Sequence, residues 1–147
     1  MRIWNWVVAA YGRPGVADAC LRLQDEHGQS TSLLLWAVWS GVSEPGTLAR
    51  AAELVRSWEA QALIPLRTAR RALKAPQPPV GDSAREALRA TVKDCELQAE
   101  RLLLETLAAA FPQTRTATPL AALQAAAAAA GAPVPPPLLA ALARALV

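Results

Sequence analysis

Four cations on one predicted helix form the densest group of charged side chains in the sequence. They are Arg67, Arg70, Arg71 and Lys74. Residues three and four apart lie on one side of an α-helix, so this face could bind a phosphate backbone or an acidic protein surface. Alternatively, the cations stabilise the last turns of their helix against its macrodipole and pair with carboxylates of the next helix. Both interpretations are kept.

Two carboxylates, Glu96 and Glu100, lie four residues apart on the following helix. Paired carboxylates can transfer protons or bind a metal ion. A di-iron site in a helical bundle needs two Glu-x-x-His motifs, however, and the chain has a single histidine. We therefore predict no metal and no cofactor, and we interpret the two carboxylates as surface ion-pair partners.

The sequence has no recognisable catalytic constellation. No serine or cysteine lies at a recognisable spacing from a base, and no glycine-rich loop could hold a phosphate. We predict no catalytic residue, and an enzymatic activity is not favoured.

Tryptophan is unusually frequent, with five copies against one phenylalanine and one tyrosine. Trp36 and Trp39 are predicted to lie in the core. A tryptophan is large and carries an N–H that needs a partner, so the remaining three could line a groove or pack in the core. Trp58 is a candidate partner-binding residue beside the four cations, and a possible ligand pocket would use Trp4, Trp6 and His27. The alternative for His27 is to cap the end of its helix.

These side chains must be positioned by helices. Alanine and leucine dominate, aromatic residues make up 5%, and β-branched residues are too few for several strands, so an all-α fold is predicted. Residues 30–42 carry no charge and are apolar in every direction when wound as a helix. Such a helix must be surrounded by others, and this one is too short to cross a bilayer, so we predict that it is the buried centre of a compact bundle.

Turn and cap residues mark the other elements. Short helices are predicted over 3–11 and up to His27, with Gly28 as a left-handed cap. A long helix over 47–74 contains Pro65, which predicts a kink or a break. The proline-rich segment 75–81 then reverses the chain, and Ser83 with Glu86 forms a capping box that opens the next helix. A long antiparallel hairpin is expected, in which the basic segment 48–75 faces the acidic segment 76–111.

The C-terminal residues differ in composition. No charged residue lies between Thr116 and Ala143, and an alanine run is followed by Gly131 and four prolines. We predict a helical bundle domain over 1–111 and an Ala/Pro-rich extension over 112–147 that forms short helices packed on the bundle. A disordered tail is the alternative. No membrane span is predicted, because glycine and prolines divide the segment and alanine drives insertion only weakly.

Charge and cysteine content restrict the partners and the compartment. The formal net charge of +3 is too small to indicate a nucleic-acid partner, which is not expected. Cys20 and Cys95 have no metal-site or redox-pair spacing. The first residues do not form a signal peptide, so a cytoplasmic location is expected.

Several segments together resemble a family of small bacterial helical proteins that is known only as a domain of unknown function. They are YGRPGV at 11–16, LQDEHG at 23–28, LLLW at 33–36, Trp58, PLRTARRALK at 65–74 and ELQAER at 96–101. The resemblance covers roughly residues 1–107. The family commonly has an asparagine before the leucine run, where this chain has Ser32. The resemblance implies a helical fold and transfers no site.

The leading hypothesis is a non-enzymatic protein–protein interaction or adaptor module, because apolar residues and a basic helix face are abundant and catalytic groups are absent. A protein partner is predicted, and self-association into a homo-oligomer is a further expectation for a chain so rich in alanine and leucine. One alternative is a small-ligand-binding protein or enzyme that uses a Trp-lined pocket. Another is weak nucleic-acid binding through the four cations.

Overall fold

A computed structural model describes all 147 residues, which form helices and no strands. The helices are α1 (Ile3–Tyr11), α2 (Val16–His27), α3 (Thr31–Ser40), α4 (Pro45–Trp58), α5 (Ile64–Ala72), α6 (Asp82–Ala110), α7 (Pro119–Ala130) and α8 (Pro136–Ala145). A π-helical turn, Glu59–Leu63, connects α4 to α5. The predicted all-α class, with a helical C-terminal tail, is confirmed.

The chain divides into two compact units. Unit 1 consists of residues 1–55 and 104–147, and unit 2 consists of residues 56–103. Both boundaries fall close to or within the long helices α4 and α6.

Helix α3 lies at the centre of unit 1, as its uncharged sequence predicts. It packs against α1, α2 and α7, and Leu34 and Trp36 are fully buried. The Ser30 hydroxyl accepts the backbone N–H of Leu33 and so caps the start of the helix, while Gly41 ends it in the left-handed conformation.

The carbonyls at the end of α3 are bonded by the segment that follows α6. The amide N–H groups of Thr114 and Arg115 donate to the Ser40 carbonyl, and those of Thr116 and Ala117 donate to the Gly41 carbonyl. The helix end is therefore satisfied although it is buried.

Helices α7 and α8 pack against each other, and they also pack against α3 and α2 respectively. Their buried side chains are Ala122, Leu123, Ala126, Ala127, Leu138, Leu139, Leu142 and Ala143. The Thr118 hydroxyl caps α7 by accepting the Ala121 N–H, and Pro119 follows it in the first turn. The division of the chain into domains at residue 111 stays a prediction.

Pro65 is accommodated by the π-helical turn that precedes it. The Ile64 N–H donates to the Glu59 carbonyl, five residues back, so the turn before the proline is wider than an α-helical turn. A proline lacks the amide donor and its ring collides with the preceding turn. The π-helical turn provides the local adjustment that the sequence predicts as a kink or a break.

The first turn of α6 differs from the predicted capping box. The helix begins at Asp82, so Ser83 lies inside its first turn. Glu86 accepts a hydrogen bond from the buried Arg85 at 2.8 Å. Arg85 also donates to the carbonyls of Leu73 and Lys74, at 2.9 and 3.1 Å, and so caps the end of α5.

Candidate functional site

Unit 2 contains the predicted partner-binding residues, on a helical hairpin formed by residues 56–103. Trp58 is half-buried, and its indole N–H donates to the Ala99 carbonyl at 2.9 Å. This bond satisfies the polar atom of a large aromatic side chain and ties the end of α4 to α6.

Two of the four predicted cations bind one buried carboxylate. Glu96 is 7% exposed, and its side chain accepts the Arg70 Nε–H at 2.6 Å and the Arg67 Nε–H at 3.4 Å. A second Arg70 nitrogen also donates to Glu96, at 3.4 Å. This hydrogen bonding raises the pKa of the Arg70 guanidinium above its ordinary value. Arg67 and Arg70 therefore pair with the next helix, as the second interpretation of the basic face predicts.

The sequence predicts that Glu96 forms ion pairs at the surface, but Glu96 is buried. The prediction of a surface position is therefore wrong. A single carboxylate with two guanidinium partners is well compensated inside the protein. The spacing of Glu96 and Glu100 indicates a shared face, but the sequence carries no signal for which of the two is covered.

Glu100, one turn further along α6, is half-buried and lies close to the same ion pairs. Burial raises the pKa of its carboxyl above the ordinary value of 4.5, and the nearby charge of Glu96 adds to this effect. The cations of Arg67 and Arg70 oppose it. The carboxyl thus holds its proton to a higher pH than an exposed glutamate does.

A cleft of about 300 Å³ lies beside these residues and is lined by Arg70, Lys93, Asp94, Glu96, Leu97 and Glu100. No group of three or more His, Cys, Asp or Glu side chains is arranged to hold a metal ion. Nothing in the spacing of Lys93, Asp94 or Leu97 marks them in the sequence as residues of a site.

Arg71 and Lys74 are exposed, unlike the other two cations. Arg71 nevertheless makes an interaction within the chain. The structure therefore does not present the four cations as one free surface, and the binding of a partner by Arg67, Arg70, Arg71, Lys74 and Trp58 stays a prediction.

Unit 2 has a conspicuous surplus of exposed apolar side chains. Ile64, Val80, Leu88, Leu97 and Leu102 are each between 50% and 55% exposed. Its buried apolar residues are Leu63, Ala99 and Leu103, and α5 has no buried residue. Exposed apolar side chains can contribute to a surface that binds another molecule.

The predicted ligand-pocket residues are not brought together. Trp4 lines an open cleft of about 580 Å³ in unit 1 with Trp39, Arg2 and Glu105. His27 lines a different cleft of about 200 Å³ with Arg22 and residues of the C-terminal tail, and Trp6 lines neither. The Trp39 indole N–H donates to the Met1 carbonyl at 3.2 Å, and this tryptophan is half-buried at the cleft. The prediction that Trp39 lies in the core is therefore wrong. A pocket role for Trp4, Trp6 and His27 stays a prediction.

Arg85 is a buried charged residue whose structural role the sequence does not predict. An arginine in the first turn of a helix is ordinarily exposed, and only the return of the chain after α5 places two free carbonyls within its reach.

The fold and this surface define a small all-helical protein with a buried central helix and a helical hairpin. Residues 2–107 match the model of a family described as a protein of unknown function (DUF2390), and the chain belongs to that family. This confirms the resemblance to a domain of unknown function. No curated protein and no solved structure matches the chain. No helix has both the length and the apolar character needed to cross a membrane.

Proposed function

We propose that the protein is a non-enzymatic protein-binding module whose binding surface is the hairpin of unit 2. The observation that carries the proposal is the apolar surplus of this unit, which exposes five large apolar side chains and buries three apolar residues. Removal of apolar surface from water is worth about 25 cal/mol per Å², so a partner with an apolar helical face would be stabilised here.

The ion-pair cluster supports this proposal by holding the hairpin in one conformation. Glu96 connects α6 to both Arg67 and Arg70, and Trp58 connects α4 to α6. A surface that is already ordered loses less entropy when a partner binds.

The proposal places the protein in the cytoplasm. Both Cys20 and Cys95 are free thiols, which fits a reducing compartment.

Photo-crosslinking tests this proposal in living cells. A photoreactive phenylalanine replaces Leu88 or Leu97 on the hairpin, or Leu21 on α2 as a control of similar exposure. We expect protein adducts from the two hairpin positions and few or none from Leu21. Equal adducts from all three positions, or none from the hairpin, would refute the hairpin as a binding surface.

A small-ligand-binding role is a second candidate because of the cleft beside Trp4. Two indole rings suit an aromatic ligand, and the Arg2 guanidinium and the Glu105 carboxylate can bind its polar groups. The probe is anilinonaphthalene sulfonate, and we expect saturable fluorescence that Trp4→Ala abolishes and Trp6→Ala, outside the cleft, leaves unchanged. An equal decrease in both variants would contradict a specific site.

Weak nucleic-acid binding is less well supported. Glu96 engages two of the four cations that would bind phosphate, and affinity for nucleic acid decreases when fewer phosphates are neutralised. Affinity for a DNA duplex that drops steeply with salt and is abolished by Lys74→Ala would support it.

A further inference from the structure

We propose that the cleft of unit 2 binds an arginine side chain of the partner protein, with the arginine guanidinium on the carboxylate of Glu100. The inference rests on the proposed function and specifies which side chain of the partner the hairpin recognises. It follows from the shape of the cleft, from the hydrogen bonds of the two carboxylates in it, and from the charges around them.

One face of α6 forms a wall of the cleft. Lys93, Glu96, Leu97 and Glu100 are separated by three, one and three residues, so their side chains share this face. Arg70 lines the same cleft from α5. A volume of about 300 Å³ lies at the lower end of the range of ligand pockets, so it suits one long side chain and not a whole segment of a partner.

Glu96 and Glu100 differ in their hydrogen bonds. Arg67 and Arg70 both donate to Glu96. Glu100 is half-buried, and no group of the chain donates a hydrogen bond to it. A carboxylate that is partly removed from water without a donor is costly, so a donor supplied by another molecule would stabilise it. The raised pKa of the Glu100 carboxyl is a consequence of the same arrangement.

The charges in and around the cleft leave an excess of negative charge. The carboxylates are those of Glu59, Asp94, Glu96 and Glu100, and the cations are those of Arg67, Arg70 and Lys93. Lys93 lies seven residues before Glu100, about 10 Å along the helix, and it makes no ion pair with this carboxylate. One added positive charge beside Glu100 therefore balances the cleft.

Arginine fits this site better than lysine does. Leu97 is 51% exposed at the wall of the cleft and offers an apolar surface to the aliphatic stem of a long side chain. A guanidinium donates two parallel hydrogen bonds to one carboxylate. It is also less strongly hydrated than an ammonium group, which favours it beside a half-buried carboxylate.

A capped amino acid tests the site on the purified full chain. The probe is Nα-acetyl-arginine methylamide, and binding is followed by the NMR signals of the Leu97 methyl groups and the Glu100 carboxyl carbon. We expect saturable shifts of both. The matched citrulline compound has the same shape without the charge and should bind about tenfold more weakly. Equal affinity for the two compounds, or no saturable shift, would overturn the inference.

Variants of the chain separate the role of charge from that of shape. Glu100→Gln keeps the shape of the side chain and should weaken binding of the arginine probe about tenfold. Lys93→Gln removes a positive charge from the cleft and should tighten binding about twofold. Asp18→Asn, which neutralises an exposed carboxylate on α2, is the control and should change nothing. An affinity that Glu100→Gln leaves unchanged, or that Asp18→Asn lowers equally, would refute the assignment to Glu100.

Photo-crosslinking connects the cleft with the partner in cells. A photoreactive phenylalanine at Leu88 lies outside the cleft. The yield of its protein adduct should fall severalfold in Glu100→Gln and stay the same in Asp18→Asn.

The two proposals fail in different ways. If Leu88 gives an adduct whose yield Glu100→Gln does not change, the arginine contact is refuted and the protein-binding module stands. If neither Leu88 nor Leu97 gives any adduct in cells, the module itself is refuted, and the inference falls with it.

Discussion

At the scale of single residues, the distinctive electrostatics of this protein involve charged side chains that are buried or half-buried. Glu96 accepts hydrogen bonds from two arginines and is buried, while Glu100 lies one turn away with less compensation. The sequence predicts that both carboxylates and the basic cluster share facing helices. Which carboxylate receives the arginines depends on the rotation of α5 and α6 about their axes, and this rotation is set by packing that the charge pattern does not encode.

Glu100 should make stability fall as pH rises. Its pKa is raised in the folded protein, so the folded state holds a proton that the unfolded state has already released above pH 4.5. Stability therefore decreases from about pH 4.5 upward, through the pKa of the folded state. Glu100→Gln removes this effect, and urea denaturation should show a more stable variant at about pH 7.

The same variant provides its own control in acid. At about pH 4 the wild-type carboxyl is largely neutral, so the difference in the free energy of unfolding should shrink. A gain of equal size at both pH values would indicate an effect of shape and not of charge.

The two cysteines should react very differently. Burial raises the pKa of the Cys20 thiol to about 11, although a hydrogen bond with Tyr11 lowers it slightly, whereas Cys95 is exposed. A thiol reagent should modify one cysteine per native chain and two in urea, since only an accessible thiolate reacts. Cys95→Ser should leave no reactive thiol in the native protein; fast labelling of that variant would show that Cys20 is accessible.

At the scale of helices, the sequence predicts the ends of the helices better than the irregular turns within them. Ser30, Gly28 and Thr118 act as caps because their side chains or backbone freedom satisfy helix ends locally. Pro65 predicts a disturbance, but only its surroundings select a π-helical turn over a sharp kink. The Ser83 and Glu86 pair does not form a capping box because α6 begins at Asp82, and Glu86 instead accepts a hydrogen bond from Arg85.

Gly41 at the end of α3 is the most demanding glycine of the chain. Its φ is +66°, and a Cβ there would lie 2.6 Å from the Cα of Arg115. Gly28 has a similar φ of +62° but no atom within 4 Å of the same point. Gly28→Ala should cost about 1 kcal/mol through backbone strain alone, and Gly41→Ala at least about 1 kcal/mol more.

Denaturant titration of the two variants measures this difference directly. Equal destabilisation would mean that residues 113–117 can move away from α3 without penalty. A larger destabilisation by Gly41→Ala confirms that the close approach of these backbones is required.

At the scale of the whole molecule, the two units differ in how they are stabilised. Unit 1 buries α3 beneath several helices, whereas unit 2 buries Leu63, Ala99 and Leu103 and contains the ion pairs of Glu96. The all-α class follows from composition, and the buried centre from the uncharged stretch 30–42. The sequence does not predict the apolar surplus of unit 2, because the spacing of apolar residues along a helix does not reveal whether that face is covered.

Hydrogen exchange should reveal this difference. A small number of buried apolar side chains means a small free energy of local opening, so backbone amides of residues 64–102 should exchange faster than those of α3 and α7. Uniform protection across both units would contradict a weakly stabilised hairpin.

The contact between residues 113–117 and the end of α3 has a consequence for how the family should be compared. The family match ends at residue 107, yet the carbonyls of Ser40 and Gly41 are bonded by backbone that lies beyond it. Any relative whose chain stops at the family boundary faces an exposed helix end and an uncovered α3 surface. In this chain, backbone outside the matched residues therefore seals a helix that lies inside them.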